Sequence, residues 1–353
     1  MYDLFMLGYF LYLLVLVVSS FLVLRNSKER IFVYPLVWLF FWPGILCGAM
    51  LFSFRFFRII TLWSWGIFLA GPIVAAVCAY FAWPRFKPVS LICGSFAVIV
   101  ASIGVYGFII EPTNLVVRRE TMSSPKVGRP LRLAVLSDIQ TDMVGAFEER
   151  VLRRCLAEKP DLIIFPGDYI QQEPDRLWQE VDKLHSLFAR VGLDAPLGVY
   201  ACRGDQDGYA GWQRIFDGLP VHVSEESTTI DGKELTVTIL SRPDSSTLVY
   251  RAPPTEKFHI MFGHCPDFFL QNPEADLLIA GHTHGGQVQV PGMGPLLTYS
   301  HIDRKMAGGC FVKRETGPYM LISRGIGMER GEAPRVRFFC RPEIIIVDVN
   351  PVR

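Results

Sequence analysis

Residues 277–284 read Leu277-Leu278-Ile279-Ala280-Gly281-His282-Thr283-His284, four apolar residues that end abruptly in a glycine and two histidines one residue apart. A short apolar run closed by Gly reads as a buried strand running into a turn. The pattern recurs upstream. The run 131–136 ends in Ser137, Asp138, Ile139 and Gln140, and the run 162–165 ends in Pro166, Gly167 and Asp168. The run 199–202 leads to Gly204, Asp205, Gln206 and Asp207, and 259–262 leads to Gly263, His264, Cys265 and Pro266. Helical stretches at 146–158 and 176–189 lie between the first three runs. Strand, turn and helix in repetition predict an α/β sheet whose loops sit at the carboxyl ends of strands, where open sheets place their sites.

One Asp at a strand end is an ordinary turn residue, because Asp and Gly favour turns on their own account. Five consecutive strand ends carrying Asp, Asp, Asp, His and a His pair are not. Carboxylate oxygens together with imidazole nitrogens suit Mn, Fe or Zn, and a carboxylate on a tight turn can bridge two ions about 3.5–4 Å apart. Two such ions bind the non-bridging oxygens of a phosphoryl group and lower the pKa of a shared water.

These blocks resemble the calcineurin-like metallophosphoesterase family, whose motifs D-x-H, G-D, G-N-H-D/E, G-H and G-H-x-H occur in the same order at similar spacing. The stretch Ser323-Arg324-Gly325-Ile326-Gly327, followed by residues 337–343, is similar to the tail of the membrane-associated bacterial branch. The resemblance covers 132–349 and implies a four-layer αββα sandwich. It also implies Asp168 as the bridging ligand, Asp138 and His284 on a first divalent metal, and His264 and His282 on a second. Gln140 stands where the family has a metal-binding His, and Asp205 stands where it has Asn. Both can still ligate, and both favour a harder ion such as Mn or Mg over Zn. Gln206 replaces the family's non-ligand His, which stabilises the transition state and protonates the leaving oxygen. An amide cannot act as an acid, so a leaving group that departs unaided as an anion is expected. Asp207 is a substitute acid or a turn residue capping the next helix. The implied activity is hydrolysis of a phosphoanhydride or activated phosphoester, the nearest case being a UDP-2,3-diacylglucosamine pyrophosphatase-like step that releases UMP. The competing reading, motivated by Gln140 and Gln206, is a catalytically silent metal-binding sensor or scaffold.

The residues before this region are of another kind. Half of the 353 residues are hydrophobic, and they crowd into the first 110. Crossing a bilayer takes about 20 apolar residues in a helix, and four stretches qualify: 5–24, 31–52, 59–83 and 89–110. Their joints hold Arg25, Lys28 and Arg30, then Arg55 and Arg58, then Arg85 and Lys87. The expected organisation is therefore an all-α transmembrane anchor (1–110), a linker (111–130) and the metallophosphoesterase domain (131–353). The middles of the spans are free of charge, which argues against an ion or proton pathway and against a transporter. Basic residues divide almost evenly between the two sides, so the positive-inside rule barely orients the chain. Eight cysteines without C-x-x-C spacing point to a reducing compartment, hence to a multi-pass protein of the bacterial inner membrane with its catalytic domain on the cytoplasmic face. The net charge of +1 supplies no field for nucleic acid, which is excluded as a partner. The expected partners are membrane lipids and a phosphorylated, lipid-linked substrate.

Overall fold

The computed structural model describes residues 2–315 and 317–352, so the expected domain limits at Met1 and Arg353 lie outside the described residues. The chain divides into two compact units. One holds the residues up to Ile110 together with Glu332–Arg335, and the other holds Glu111–Gly331 with the residues from Val336 on.

In the first unit four helices among the described residues are long and apolar enough to cross a membrane: Leu4–Ser27, Val33–Phe52, Phe56–Ala82 and Lys87–Thr113. They begin within a few residues of the expected spans. The third helix begins at Phe56, ahead of the expected apolar stretch, and its Arg58 is accommodated by a 2.5 Å ion pair with Glu332. Lys87–Thr113 opens with Pro88 in its first turn, where a missing N–H leaves no bond unmade. Tyr9, Phe41, Ile45, Leu62, Val74 and Cys78 pack inward, while Leu14, Phe40, Leu51, Ile92 and Val98 point out. The phenols inside the bundle are satisfied: Tyr9 donates to the Ile45 carbonyl at 3.1 Å and Tyr12 to the Gly44 carbonyl at 2.8 Å. Apolar residues facing outward on every helix are what a hydrocarbon solvent demands and water penalises.

Among the described residues the second unit is built on fourteen strands: β1 (Val116–Ser124), β2 (Leu131–Val135), β3 (Leu162–Phe165), β4 (Val199–Cys202), β5 (Val221–Ser224), β6 (Thr228–Asp231), β7 (Leu235–Ile239), β8 (Phe258–Phe262), β9 (Leu277–Ala280), β10 (Gln289–Val290), β11 (Gly294–Pro295), β12 (Cys310–Lys313), β13 (Tyr319–Ile322) and β14 (Glu343–Pro351). One sheet has the order β1-β14-β2-β3-β4-β5, the other β12-β13-β9-β8-β7-β6, and β10 and β11 form a small hairpin. Strands β2 to β5 are mutually parallel, as are β7, β8, β9 and β13.

The period-two alternation of β2 divides it between two cores. Leu133 and Val135 face the second sheet, packing with Ile239, Phe262 and Ile279. Ala134 faces the helices Ala146–Ala157 and Pro174–Val191 through Val151, Leu152, Val181 and Phe188. The outer face of the second sheet is covered by short helices and loops, with Met261, Leu278 and Ile322 under Phe268, Phe269, Ile302 and Ala307. This is the αββα sandwich, with one thick helical layer and one thin one.

One expected boundary is corrected. The segment 111–130, expected to be a linker, carries β1, which pairs in parallel with β14 from Val116 opposite Glu343 to Ser124 opposite Pro351. Just before it, the buried Glu111 carboxylate accepts main-chain N–H bonds from Phe339 and Cys340. The strand was invisible as such because Val116–Ser124 is polar after its first two residues except for buried Met122, as an edge strand with one open side can be.

Candidate metal centre

Asp138, Asp168, Asp205, His264, His282 and His284 all leave the carboxyl ends of their strands on one rim and meet there. Their ligand atoms fall into two groups, Asp138 with Asp168 and His284, and Asp205 with His264 and His282. The turns that carry them are strained. Asp138, Gln140, Asp168, His282 and His284 have φ of 50°, 32°, 58°, 70° and 47°. Non-glycine residues pay for that conformation, so it persists where surrounding structure imposes it, typically at working sites. The motif glycines supply clearance: a Cβ on Gly204 would collide with the Asp168 carboxylate, and one on Gly281 with Ser137 Oγ and Asp138 Oδ2.

Main-chain carbonyls fix the two imidazoles of the second group. His264 Nδ1 lies 2.8 Å from the Pro166 carbonyl and His282 Nε2 lies 3.0 Å from that of Tyr299, so each of these nitrogens is the donor. The opposite nitrogens, His264 Nε2 and His282 Nδ1, face each other at 3.3 Å. Asp205 Oδ2 is 2.9 Å from His282 Nδ1 and 3.5 Å from His264 Nε2, and Asp168 Oδ2 is 3.4 Å from His264 Nε2. In the first group His284 Nε2 sits 3.9 Å from Asp138 Oδ1. It also lies 2.5 Å from Gln140 Oε1, while His284 Nδ1 is buried with no hydrogen-bond partner among the described residues. Asp138 is held by the Ser137 hydroxyl and by the His282 N–H at 3.0 Å.

This donor set fits divalent metal. The nitrogen and oxygen atoms of Asp168, Asp205, His264 and His282 converge beside His264 Nε2. Gln140 also fits: its amide NH2 donates to Gln171 Oε1 at 2.8 Å and Glu329 Oε2 at 2.9 Å, which turns its carbonyl oxygen toward His284.

Electrostatics point the same way. Burial alone would push the His264 imidazole down, but Asp168, Asp205 and Asp138 overcome it and hold it well above its ordinary value. Burial likewise opposes ionisation of Asp168 and Asp205, yet His264 keeps the first below the usual carboxylate range, and His264, His282 and Arg242 do the same for the second. Burial pushes Asp138 up to about 6. Without metal, then, a proton sits where a cation would. Metal binding should displace it, so affinity for Mn should fall by up to about tenfold per pH unit wherever His264 holds that proton, and more steeply below about pH 6, where Asp138 takes up a second. Titration calorimetry in buffers of different ionisation enthalpy would detect the released protons; pH-independent binding with no release would contradict this arrangement.

The three residues expected to do chemistry differ in role. Asp205 is in the second group. The Gln206 N–H donates to Asp168 Oδ1 at 2.7 Å, and its half-buried side chain makes no hydrogen bond among the described residues. Asp207 is fully buried, and its carboxylate accepts the N–H groups of Asp168, Tyr169 and Gly204 at 2.7, 3.0 and 2.8 Å. The tail motif encloses the first group. Ile326 and Gly327 bond the carbonyls of Ser137 and Asp138, and buried Arg337 donates to the carbonyls of Arg324, Gly325, Gly327 and Cys340.

Sequence reading missed Arg242, Gln171 and Glu329. Arg242 follows β7, a strand in the same run-then-polar-turn pattern as the five recognised, so that rule could have found it. Gln171 and Glu329 carry no local signal, since each reaches Gln140 only through the fold.

The calcineurin-like phosphoesterase family model matches residues 131–286. The metallophosphoesterase YkuE of Bacillus subtilis is 31% identical over 203 residues, covering 53% of this chain and 67% of that protein. Phosphodiesterase YaeI of Escherichia coli is 26% identical over 208 residues, 55% of this chain and 72% of the relative. The UDP-2,3-diacylglucosamine pyrophosphatase LpxG of Chlamydia muridarum is 23% identical over 306 residues, 67% and 90% of the two chains. A hydrolase of the two-group metal type is the class that this sandwich and rim define. The chain belongs to the calcineurin-like phosphoesterase family.

Proposed function

We propose that the protein is a membrane-anchored, binuclear-metal phosphoesterase that cleaves a phosphoanhydride or activated phosphoester on a lipid-linked substrate. A nucleoside diphosphate joined to an acylated sugar, of the UDP-2,3-diacylglucosamine type, is the substrate class that fits best. The observation that carries the reading is the convergence of His264 Nε2 and His282 Nδ1, each oriented by a main-chain carbonyl, with the carboxylates of Asp168 and Asp205.

Asp168 would join the two ions, Asp138, Gln140 and His284 would hold one, and Asp205, His264 and His282 the other. Bound there, a pair of divalent ions supplies Lewis acidity toward the phosphoryl oxygens and a lowered pKa for water. The mixed oxygen and nitrogen donors, with a Gln carbonyl in place of an imidazole, favour Mn. The chain's own part is positional: strained turns preset the ligands, and the carbonyls of Pro166 and Tyr299 set the imidazole tautomers. Gln206 lies next to Asp168 with a free amide that can donate a hydrogen bond to the substrate but not a proton. This matches a leaving phosphate, whose second ionisation lies near pH 6 and which departs as an anion unaided.

The lipid-linked part rests on the hairpin after His284. Met293, Leu296, Leu297 and Tyr299 are exposed there, and Tyr299 is the residue whose carbonyl holds His282. Exposed apolar residues at the edge of a polar site suit an acyl chain better than water. The four apolar helices would hold the enzyme in the bilayer that contains such a substrate.

The test uses full-length protein in detergent, loaded with Mn, and given bis-p-nitrophenyl phosphate or UDP-2,3-diacylglucosamine. Turnover of either is expected. Metal-loaded protein inert toward both would favour the silent module. The double variant Leu296→Ser/Leu297→Ser should lower kcat/KM for the acylated substrate roughly tenfold, from lost apolar burial of about 1–2 kcal/mol, and leave bis-p-nitrophenyl phosphate turnover near the parent's. Equal losses on both would remove the acyl role of the hairpin.

A further inference from the structure

Asp205 brings a full negative charge to a position where the resembling family has a neutral amide. The fold answers that charge from an unexpected direction. Ser241-Arg242-Pro243-Asp244 leaves the carboxyl end of β7 on the rim that carries the ligands. Arg242 Nε donates to Asp205 Oδ1 at 2.5 Å, and its Nη1 donates to Ser246 Oγ at 2.6 Å. The other oxygen of Asp205 is the one facing His282 and His264. The guanidinium therefore stands one carboxylate away from the imidazole pair, half-buried, and its Nη2 has no protein acceptor among the described residues.

Four other arginines near the rim are engaged. Arg324 is paired with buried Glu343, Arg337 is enclosed by four carbonyl groups, Arg330 donates to the Gln140 carbonyl at 3.1 Å, and Arg203 is paired with Glu225 at 3.0 Å. At the same time the residue that would normally contribute positive character to the transition state is missing, since Gln206 is neutral. A phosphoryl group undergoing cleavage spreads negative charge over its non-bridging oxygens, and a planar guanidinium with a spare N–H is the side chain best shaped to meet them.

We infer that Arg242 is a substrate-contacting cation: its free guanidinium N–H binds the phosphoryl oxygens and supplies the charge stabilisation that Gln206 cannot. This rests on the phosphoesterase reading of the site. The competing explanation is that Arg242 exists only to neutralise Asp205. The two separate cleanly, because Asp205→Asn removes the charge that needs neutralising.

The experiment compares five Mn-loaded full-length proteins: the parent, Arg242→Gln, Arg242→Lys, Asp205→Asn and the Arg242→Gln/Asp205→Asn double variant. Bound Mn is measured in each, and both kcat/KM for bis-p-nitrophenyl phosphate and the Kd for inorganic phosphate are read. If Arg242 touches the phosphoryl group, Arg242→Gln costs about 100-fold in kcat/KM, the scale of losing one transition-state donor. Phosphate binding weakens about tenfold or more, and both losses persist in the Asp205→Asn background. Arg242→Lys keeps the charge without the fork and recovers only part of the loss. Losses that vanish once Asp205 is Asn overturn the inference and leave a charge-neutralising role. Should the parent turn over no ester, the hydrolase reading fails on its own. The phosphate Kd then decides separately: weakening by Arg242→Gln in the Asp205→Asn background supports the contact, and an unchanged Kd overturns it.

Discussion

Replacing Asp168 by Ala should reduce turnover of bis-p-nitrophenyl phosphate by roughly 10³-fold or more, because one carboxylate serves both halves of the site. Asp168 belongs to the group with Asp138 and His284, yet its Oδ2 is also 3.4 Å from His264 Nε2 in the other group. Its remaining oxygen, Oδ1, is fixed by the Gln206 N–H at 2.7 Å. Losing it should lower bound metal as well as rate, readable as Mn per chain by elemental analysis. Alanine at φ 58° also carries backbone strain, to which Asp is better suited. Asp168→Gly removes the carboxylate and the strain together, so it should retain the parent's thermal stability more closely while being equally inactive. Parent-like turnover in either variant would dismantle the two-ion reading.

Asp207→Ala should cost stability rather than chemistry alone. The side chain is fully buried and accepts three main-chain N–H bonds, one of them from Asp168 itself. Leaving buried donors unpaired costs on the order of 1–3 kcal/mol each, partly recovered by relaxation, so a loss of about 3 kcal/mol is expected. For a domain of this size that corresponds to a fall in Tm of about 6–12 °C. Asp207→Asn should recover only part of this, since its amide NH2 would meet donors where one carboxylate oxygen now accepts. A thermal melt of the metal-free protein checks it. A Tm unchanged by Asp207→Ala would show that these bonds do not hold the turn. Burial first, and then the neighbouring charge of Asp168, pushes the Asp207 carboxyl up to about 7. Its position under the turn, with no open face, suits a scaffold and not the acid that replaces a missing histidine.

Much of this protein could be read without coordinates, for a physical reason. A buried parallel strand must be a continuous apolar run, and a ligand presented at its end must follow within a few residues, so Asp138, Asp168, Asp205, His264, His282 and His284 each sit beside a recognisable strand. The four apolar helices are equally local, since length and hydropathy alone set them. Composition fails where one side of an element is open: β1 lies on a sheet edge, its sequence is mostly polar, and it passed for a linker. Tertiary structure alone decided the rest. Which nitrogen of His264 and His282 faces inward depends on the carbonyls of Pro166 and Tyr299, 98 and 17 residues away. Gln140 is aimed by Gln171 and Glu329, the latter 189 residues distant. Arg242 meets Asp205 across 37 residues and two different sheets. Sequence determines which residues arrive at the rim, because that is a matter of strand ends; orientation, charge balance and the placing of the Arg242 guanidinium beside Asp205 arise only when separate strand ends are brought within a few ångströms of one another.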